Sequence, residues 1–152
     1  MTQKRYRKLS KRQKELAFSA IDFYVQRVMP RMAKSLSIKI LGDDTLCERE
    51  GIEGDCDYID VESRYPREFE IRVDTKQSER DFVATIIHEM VHVKQWARKE
   101  MWDVKGNVFT RSWKGDIISI DDVDYMDHPW EIEAYKYQYV LTDEFLVLHM
   151  HQ

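Results

Sequence analysis

The segment from Thr85 to His92 reads T-I-I-H-E-M-V-H and contains the pattern His-Glu-x-x-His. On a helix, His88 and His92 project from the same face one turn apart, so their imidazoles can converge on one metal ion. Imidazole nitrogens are ligands that suit zinc. Glu89 follows His88, where its carboxylate can reach a water on the metal without being a ligand itself. Zinc lowers the pKa of such a water and the carboxylate can take its proton, which is hydrolytic chemistry.

The residues around this pattern predict a buried helix. Ser78 and Asp81 have the spacing of a capping box, so the helix is expected to begin near Glu79 and to run to about residue 98. Apolar residues recur at helical spacing along it: Phe82, Val83, Ile86, Ile87, Met90 and Val91. Two histidines and a glutamate inside so apolar a helix would be costly without a partner, which favours a metal site over a chance match.

The composition is that of one ordinary globular domain. The chain has 152 residues, 43% of them hydrophobic, and a formal net charge of −4. This balance gives no general attraction to nucleic acid or to an anionic membrane. No apolar run reaches transmembrane length, and no signal peptide is recognisable at the start. Cys47 and Cys56 are too few for a disulfide framework, so a reducing, cytoplasmic location is expected.

The first fourteen residues are unusually basic. They contain seven cationic side chains and no acidic one: Lys4, Arg5, Arg7, Lys8, Lys11, Arg12 and Lys14. Such an arm can contact a phosphate backbone, although a solvated tail is the more common case. We therefore divide the chain into a basic arm, 1–14, and a single domain, 15–152.

Periodicity predicts an α+β domain. Ser10 and Gln13 suggest a helix start, and Pro30 suggests that this first helix ends near residue 28 or 29. Three strands are expected after it, at 37–41, 56–62 and 68–74. After Lys105-Gly106-Asn107, an alternating stretch to Trp113 and a strand from Ile117 to Ile120 are expected to form a β-hairpin around the turn Lys114-Gly115-Asp116. Pro129 suits the first turn of a last helix, which runs from Trp130 with a possible break near Thr142-Asp143.

A catalytic zinc site usually has three protein ligands, so one is missing. A metzincin continuation would place a glycine at position 95 and a histidine at 98, where the chain has Gln95 and Arg98. The last helix offers Glu131 and Glu133, which point to opposite sides because they are two residues apart. We favour Glu131, because Ala134 on its face allows close helix packing.

Other histidines are weaker candidates. His149 and His151 lie near the end of the sequence and are two residues apart. His128 precedes the last helix and could donate a hydrogen bond to a developing oxyanion.

The chain resembles compact gluzincin-type zinc metallopeptidases of bacteria and their phages, which are distantly akin to SprT-like and IrrE-like proteins. The resemblance lies in three segments, which are residues 88–95, the turn Trp113-Lys114-Gly115, and residues 127–135. It covers positions 36 to 140 and implies the order of a minimal zincin core, namely helix, small sheet, metal helix and ligand helix. It also implies that Glu131, followed by Ala134, is the third ligand. Gluzincins often have an acid one position after that alanine, where this chain has Tyr135.

The resemblance implies an α+β zincin-like fold, with a mixed sheet of three to four strands packed on the metal helix, an N-terminal helix and a C-terminal ligand helix. Zinc would be held by His88, His92 and Glu131, with Glu89 as general base for peptide-bond hydrolysis in a protein or peptide substrate. The strand 68–74 would lie at the sheet edge, where an extended substrate could pair with it. The substrate-binding residues would then be Phe69, Glu70, Ile71, Arg72 and Val73.

Two other functions fit the same residues. In one, the basic arm brings an SprT-like protease to nucleic acid, which would make binding depend strongly on salt. In the other, the zinc site is not catalytic and the protein is a regulator or an assembly protein. The sequence does not predict an oligomeric state.

Overall fold

A computed structural model describes residues 1–61, 63–104 and 109–150. Parts of three expectations lie outside the described residues: Glu62 at the end of an expected strand, residues 105–108 at the start of the expected hairpin, and His151. The described residues form four α-helices and two β-sheets, so the expected α+β class is confirmed. In chain order the elements are β1 (Gln3–Arg7), α1 (Lys11–Val28), β2 (Ser37–Asp43), α2 (Leu46–Glu50), β3 (Gly54–Tyr58), β4 (Glu68–Asp74), α3 (Glu79–Ala97), β5 (Met101–Asp103), β6 (Thr110–Trp113), β7 (Asp116–Ser119) and α4 (Pro129–Met150).

The larger sheet has the strand order β1-β2-β4-β3 among the described residues. Strands β1, β2 and β4 are parallel, and β3 runs antiparallel to β4. The sheet is therefore mixed, as expected. Its buried side chains lie on one face, and those of β4 (Phe69, Ile71 and Val73) have no exposed area. The same face of β2 contributes Ile38 and Ile40 to this core.

The expectation that the strand 68–74 lies at the sheet edge is wrong. Strand β4 pairs with β2 on one side and with β3 on the other. The backbone groups of Phe69, Glu70, Ile71, Arg72 and Val73 are thus occupied within the sheet and cannot receive a peptide as an added strand. Alternating apolar residues show which face of a strand is buried, but they do not show how many neighbours the strand has.

The basic N-terminal segment is not a separate arm. Strand β1 pairs in register with β2, and the backbone N–H of Gln3 donates to the carbonyl of Leu36 at 3.0 Å. Helix α1 begins at Lys11, so the division at residue 14 falls inside a helix. Part of the positive charge is paired internally, because Lys4 contacts Asp22 at 2.5 Å.

Helices α1 and α3 begin where their capping residues predicted. The Ser10 hydroxyl accepts from the backbone N–H of Gln13, and the Gln13 side chain accepts from the N–H of Ser10, which completes a capping box. Ser78 accepts from the N–H of Asp81 at 3.1 Å at the start of α3. Helix α3 is buried from Phe82 to Ala97, between the sheet and the other helices.

The smaller sheet, β5-β6-β7, connects the end of α3 to the region before α4. The expected hairpin is present as β6 and β7, and its turn residues Lys114 and Gly115 both have positive φ, 47° and 95°. The guanidinium carbon of Arg111 lies 5.1 Å from the ring centroid of Trp96 and 4.7 Å from that of Trp130. These contacts hold the sheet against α3 and α4.

Helix α4 is continuous, so the expected break near residue 142 is wrong. Thr142 is fully buried within the helix, and Asp143 pairs with Arg80 of α3 at 2.7 Å. These tertiary contacts outweigh the low helix propensity of the two residues. Within the described ranges, no helix combines the length and the apolar character that crossing a membrane requires.

Candidate metal centre

The two histidines of the motif lie on the buried face of α3 that meets α4. His88 is 6% exposed and His92 is 8% exposed. Their ring centroids are 5.1 Å apart, as residues one helical turn apart should be. Because the helix is enclosed on most sides, the position of both imidazoles is set by packing before any ligand binds.

Glu131, in the first turn of α4, completes this group. Its Oε1 atom lies 3.0 Å from Nε2 of His88 and 3.1 Å from Nε2 of His92. The carboxylate is 6% exposed. Burial alone would raise the pKa of Glu131, but the hydrogen bonds from the two histidines hold it below its ordinary value. His88, His92 and Glu131 thus form a buried group that could hold a metal ion.

Glu133 points away from this group, as the two-residue spacing from Glu131 predicted. Its Oε1 atom accepts hydrogen bonds from Lys94 at 2.8 Å and from Gln95 at 3.1 Å. Burial tends to raise the pKa of Glu133, and these two contacts lower it below the ordinary value. The structure therefore places Glu131, rather than Glu133, beside the histidines.

The donor set passes a simple chemical test for a metal. Two neutral imidazole nitrogens and one carboxylate oxygen are the ligand types that transition metals bind. Without a cation, the negative charge of a carboxylate buried against two imidazoles would be neutralised only by a proton that the three groups share. Three such atoms from two helices therefore converge where a metal ion could be held.

Two glutamines hold the far side of each imidazole. The Nδ1 atom of His88 lies 2.9 Å from Oε1 of Gln138, and Nδ1 of His92 lies 2.7 Å from Oε1 of Gln95. Gln138 is 7% exposed and Gln95 is fully buried. Neither glutamine was recognised in the sequence. Gln138 lies seven residues after Glu131, two turns along the same helix face, and that spacing was the one available signal.

Glu89 lies next to the group on the wall of a cavity of about 450 Å³ that is also lined by His88, Gly54, Tyr125 and Tyr135. Glu89 is 5% exposed. Burial raises its pKa to about 8, and the nearby Glu131 adds to the effect. A cation at the neighbouring group would favour the ionised form of Glu89 again.

The strand β3 approaches this cavity closely at Gly54. A Cβ atom at this position would lie 2.6 Å from Cγ2 of Thr85 and 3.4 Å from Oε2 of Glu89. The glycine therefore allows β3 to lie directly against α3 beside the motif. The sequence had suggested a strand from residue 56, and the observed strand begins at Gly54 and ends at Tyr58.

Two tyrosines form another part of the cavity wall. Tyr135 contacts His88 edge-on, with 4.6 Å between the ring centroids. Partial burial, with the charge of Glu131 next, raises the pKa of both Tyr125 and Tyr135. Both phenols therefore stay protonated near neutral pH. Tyr125 forms a hydrogen bond with Glu131, and Tyr135 can donate into the cavity.

The remaining histidines lie elsewhere. His128 stacks on Trp130 at 4.7 Å, and its Nε2 atom donates to the carbonyl of Ile120 at 2.9 Å. That ring nitrogen is used by a backbone group, so Nε2 is not available to donate to an oxyanion. His149 contacts Phe145 near the end of α4 and does not join the group.

Comparisons with family models, with curated proteins and with solved structures found no significant match to this chain.

Proposed function

We propose that this protein is a zinc-dependent metallopeptidase with a zincin-like arrangement of its metal helix and ligand helix. The observation that carries the proposal is the convergence of His88, His92 and Glu131, with Glu89 beside them on an open cavity. Each residue type matches one role in metal-assisted hydrolysis. Three of them can hold the ion, and the fourth is a carboxylate available as a base.

Zinc is the metal that this set of ligands favours. Two histidines and one glutamate leave one position open, which is the arrangement of hydrolytic rather than structural zinc sites. Bound there, zinc would supply Lewis-acid activation of water and of a substrate carbonyl. The cavity beside the ligands gives both molecules a route to the site.

The protein's own groups would move the proton and stabilise charge. Glu89 would accept a proton on its carboxylate from the attacking water and then deliver it to the leaving amine. Burial raises its pKa, and a cation held by the ligands would offset this by favouring the ionised form that accepts the proton. The protonated phenol of Tyr135 would donate a hydrogen bond to the oxygen on which negative charge develops.

The free edge of β3 would bind the substrate backbone. Within the described residues β3 is an edge strand of the larger sheet, and its Gly54 end lines the cavity. An extended peptide could add to that edge through main-chain hydrogen bonds. This proposal replaces β4 with β3 as the substrate strand.

The function is tested by profiling a peptide library with the zinc-loaded protein and with a Glu89→Gln variant. Glu89→Gln removes the base but keeps the ligands, so zinc content should be unchanged while cleavage falls at least about a hundredfold. Mass spectrometry of the products would locate the cleaved bonds. Stoichiometric zinc with no cleavage of any peptide would support a non-catalytic zinc protein instead.

A further inference from the structure

We propose that Gln95 and Gln138 are positioning residues that select the metal-binding tautomer of the two histidines. The inference rests on the metal centre proposed above and adds to it the groups that prepare the ligand atoms. It concerns which nitrogen of each imidazole carries the proton and which nitrogen is free to bind a metal.

The orientation of the Gln95 amide follows from its own contacts. Its Nε2 atom donates to the backbone carbonyl of Trp130 at 3.0 Å and to Oε1 of Glu133 at 3.1 Å. Both acceptors lack a hydrogen to donate, so the amide nitrogen must face them and the amide oxygen must face His92. Lys94 donates to the same oxygen of Glu133 at 2.8 Å and holds the carboxylate in place.

This orientation fixes the tautomer of His92. An amide oxygen can only accept, so Nδ1 of His92, at 2.7 Å, must carry a hydrogen. With Nδ1 donating to Gln95, the atom left to bind a metal is Nε2, which without a metal donates to Glu131 and would give up that hydrogen to the ion. The chain Lys94–Glu133–Gln95 therefore prepares one metal ligand. Glu133 thus acts at the site by holding Gln95 in place, and it is not itself a ligand.

The second histidine is prepared from the other helix. Gln138 lies two turns after Glu131 on α4, so one helix supplies both the third ligand and the group that orients His88. His88 can present Nε2 to a metal only if Nδ1 carries the hydrogen, and Oε1 of Gln138 at 2.9 Å is the acceptor for it.

Both orienting groups are neutral amides rather than carboxylates. A carboxylate in this position makes the imidazole a more basic ligand, and an amide does so less. Two amides should therefore hold zinc less tightly than two carboxylates would and leave it a stronger Lewis acid. Replacing one amide by a carboxylate of the same length should show this difference directly.

Gln138 offers the better-matched pair of variants, because it lies at the cavity wall and not in the core. Gln138→Met keeps the length of the side chain and removes the acceptor. Gln138→Glu keeps the acceptor and adds charge. Zinc affinity, measured by competition with a chelator, should fall tenfold or more for Gln138→Met and should equal or exceed that of the wild type for Gln138→Glu.

A spectroscopic measurement separates positioning from simple packing. Long-range proton–nitrogen NMR spectra of the zinc-loaded protein should show a slowly exchanging Nδ1 proton on both histidines. The His88 signal should be lost in Gln138→Met and kept in Gln138→Glu, and Gln95→Met should have the same effect on the His92 signal. Thermal unfolding with chelator present would show whether each variant is folded. If Gln95→Met does not fold, the two Gln138 variants alone test the proposal.

Two results would overturn the inference in distinguishable ways. A wild type that binds no zinc would overturn the metal centre and this proposal together. A wild type that binds zinc with the same affinity and the same Nδ1 signals as both Gln138 variants would overturn this proposal alone. Coordination through Nδ1 of either histidine would also overturn it.

Discussion

Oε1 of Glu131 lies 3.0 Å from Nε2 of His88, although 43 positions separate the two residues in the chain. The intervening segment leaves α3, forms the small sheet and returns to start α4 beside α3. Ala134, one turn after Glu131, is fully buried and lets the two helices approach closely. The small sheet thus acts as a connection of defined shape that brings the third candidate ligand back to the histidines.

The first prediction compares the two neighbouring glutamates of α4. Glu131→Ala removes a ligand and should lower zinc affinity at least about tenfold. Glu133→Ala removes only a partner of Gln95 and Lys94, so the protein should still bind one equivalent of zinc, with a smaller loss of affinity. Metal content and a chelator-competition titration measure both quantities. An equal loss in the two variants would contradict the assignment of Glu131 as the ligand.

The second prediction concerns stability. A metal that binds only the folded chain should stabilise it by about 2.7 kcal/mol at a free concentration one hundred times its dissociation constant. For a protein of this size that corresponds to a rise in Tm of roughly 5–10 °C. Differential scanning calorimetry with and without zinc would measure the shift. His88→Ala should abolish the shift, and an unchanged shift in that variant would place the metal elsewhere.

The sequence was sufficient to predict the elements that carry the motif. Capping residues and apolar spacing located the starts of α1 and α3, because these signals act within a few residues along the chain. The turn Lys114-Gly115 located the hairpin, since positive φ at both positions suits a two-residue loop. The group of His88, His92 and Glu131 followed from helical geometry together with the family resemblance.

Long-range relationships were not predictable in the same way. Strand β1 consists mostly of basic and polar residues, and it is a strand because its backbone pairs with β2, which no local pattern shows. The interior position of β4 depends on the order of the strands, and the alternation of its residues does not encode that order. Gln95 and Gln138 were missed because an amide that orients a histidine has no signature apart from its position in space.

The third prediction tests the hydrogen bond that caps the start of α3. The Ser78 hydroxyl satisfies the backbone N–H of Asp81, which has no partner within the helix. Ser78→Ala should lower the free energy of unfolding by about 1 kcal/mol, and Ser78→Asp, which keeps an acceptor, should not. Urea denaturation of the metal-free proteins measures the difference. Equal stability of all three proteins would mean that tertiary packing alone sets the start of α3.

The last prediction concerns the edge of β3. The backbone N–H of Ile59 donates to Glu68, and the N–H of Asp74 donates to the carbonyl of Glu53, both at 2.8 Å. Because hydrogen-bonding direction alternates along a strand, residues 53, 55, 57 and 59 face β4. The backbone groups of Gly54, Cys56 and Tyr58 must then face away from β4, toward the free edge.

This alternation can be tested with a peptide inhibitor that ends in a metal-binding hydroxamate. If the peptide pairs with β3, methylating every second amide nitrogen should remove a hydrogen bond and weaken inhibition about tenfold at each position. Methylating the amides between them should change inhibition much less, because those groups point away from the strand. Inhibition constants for the full set of singly methylated peptides test this. Equal sensitivity at all positions would show that the substrate backbone does not pair with β3, whether or not zinc and Glu89 cleave it.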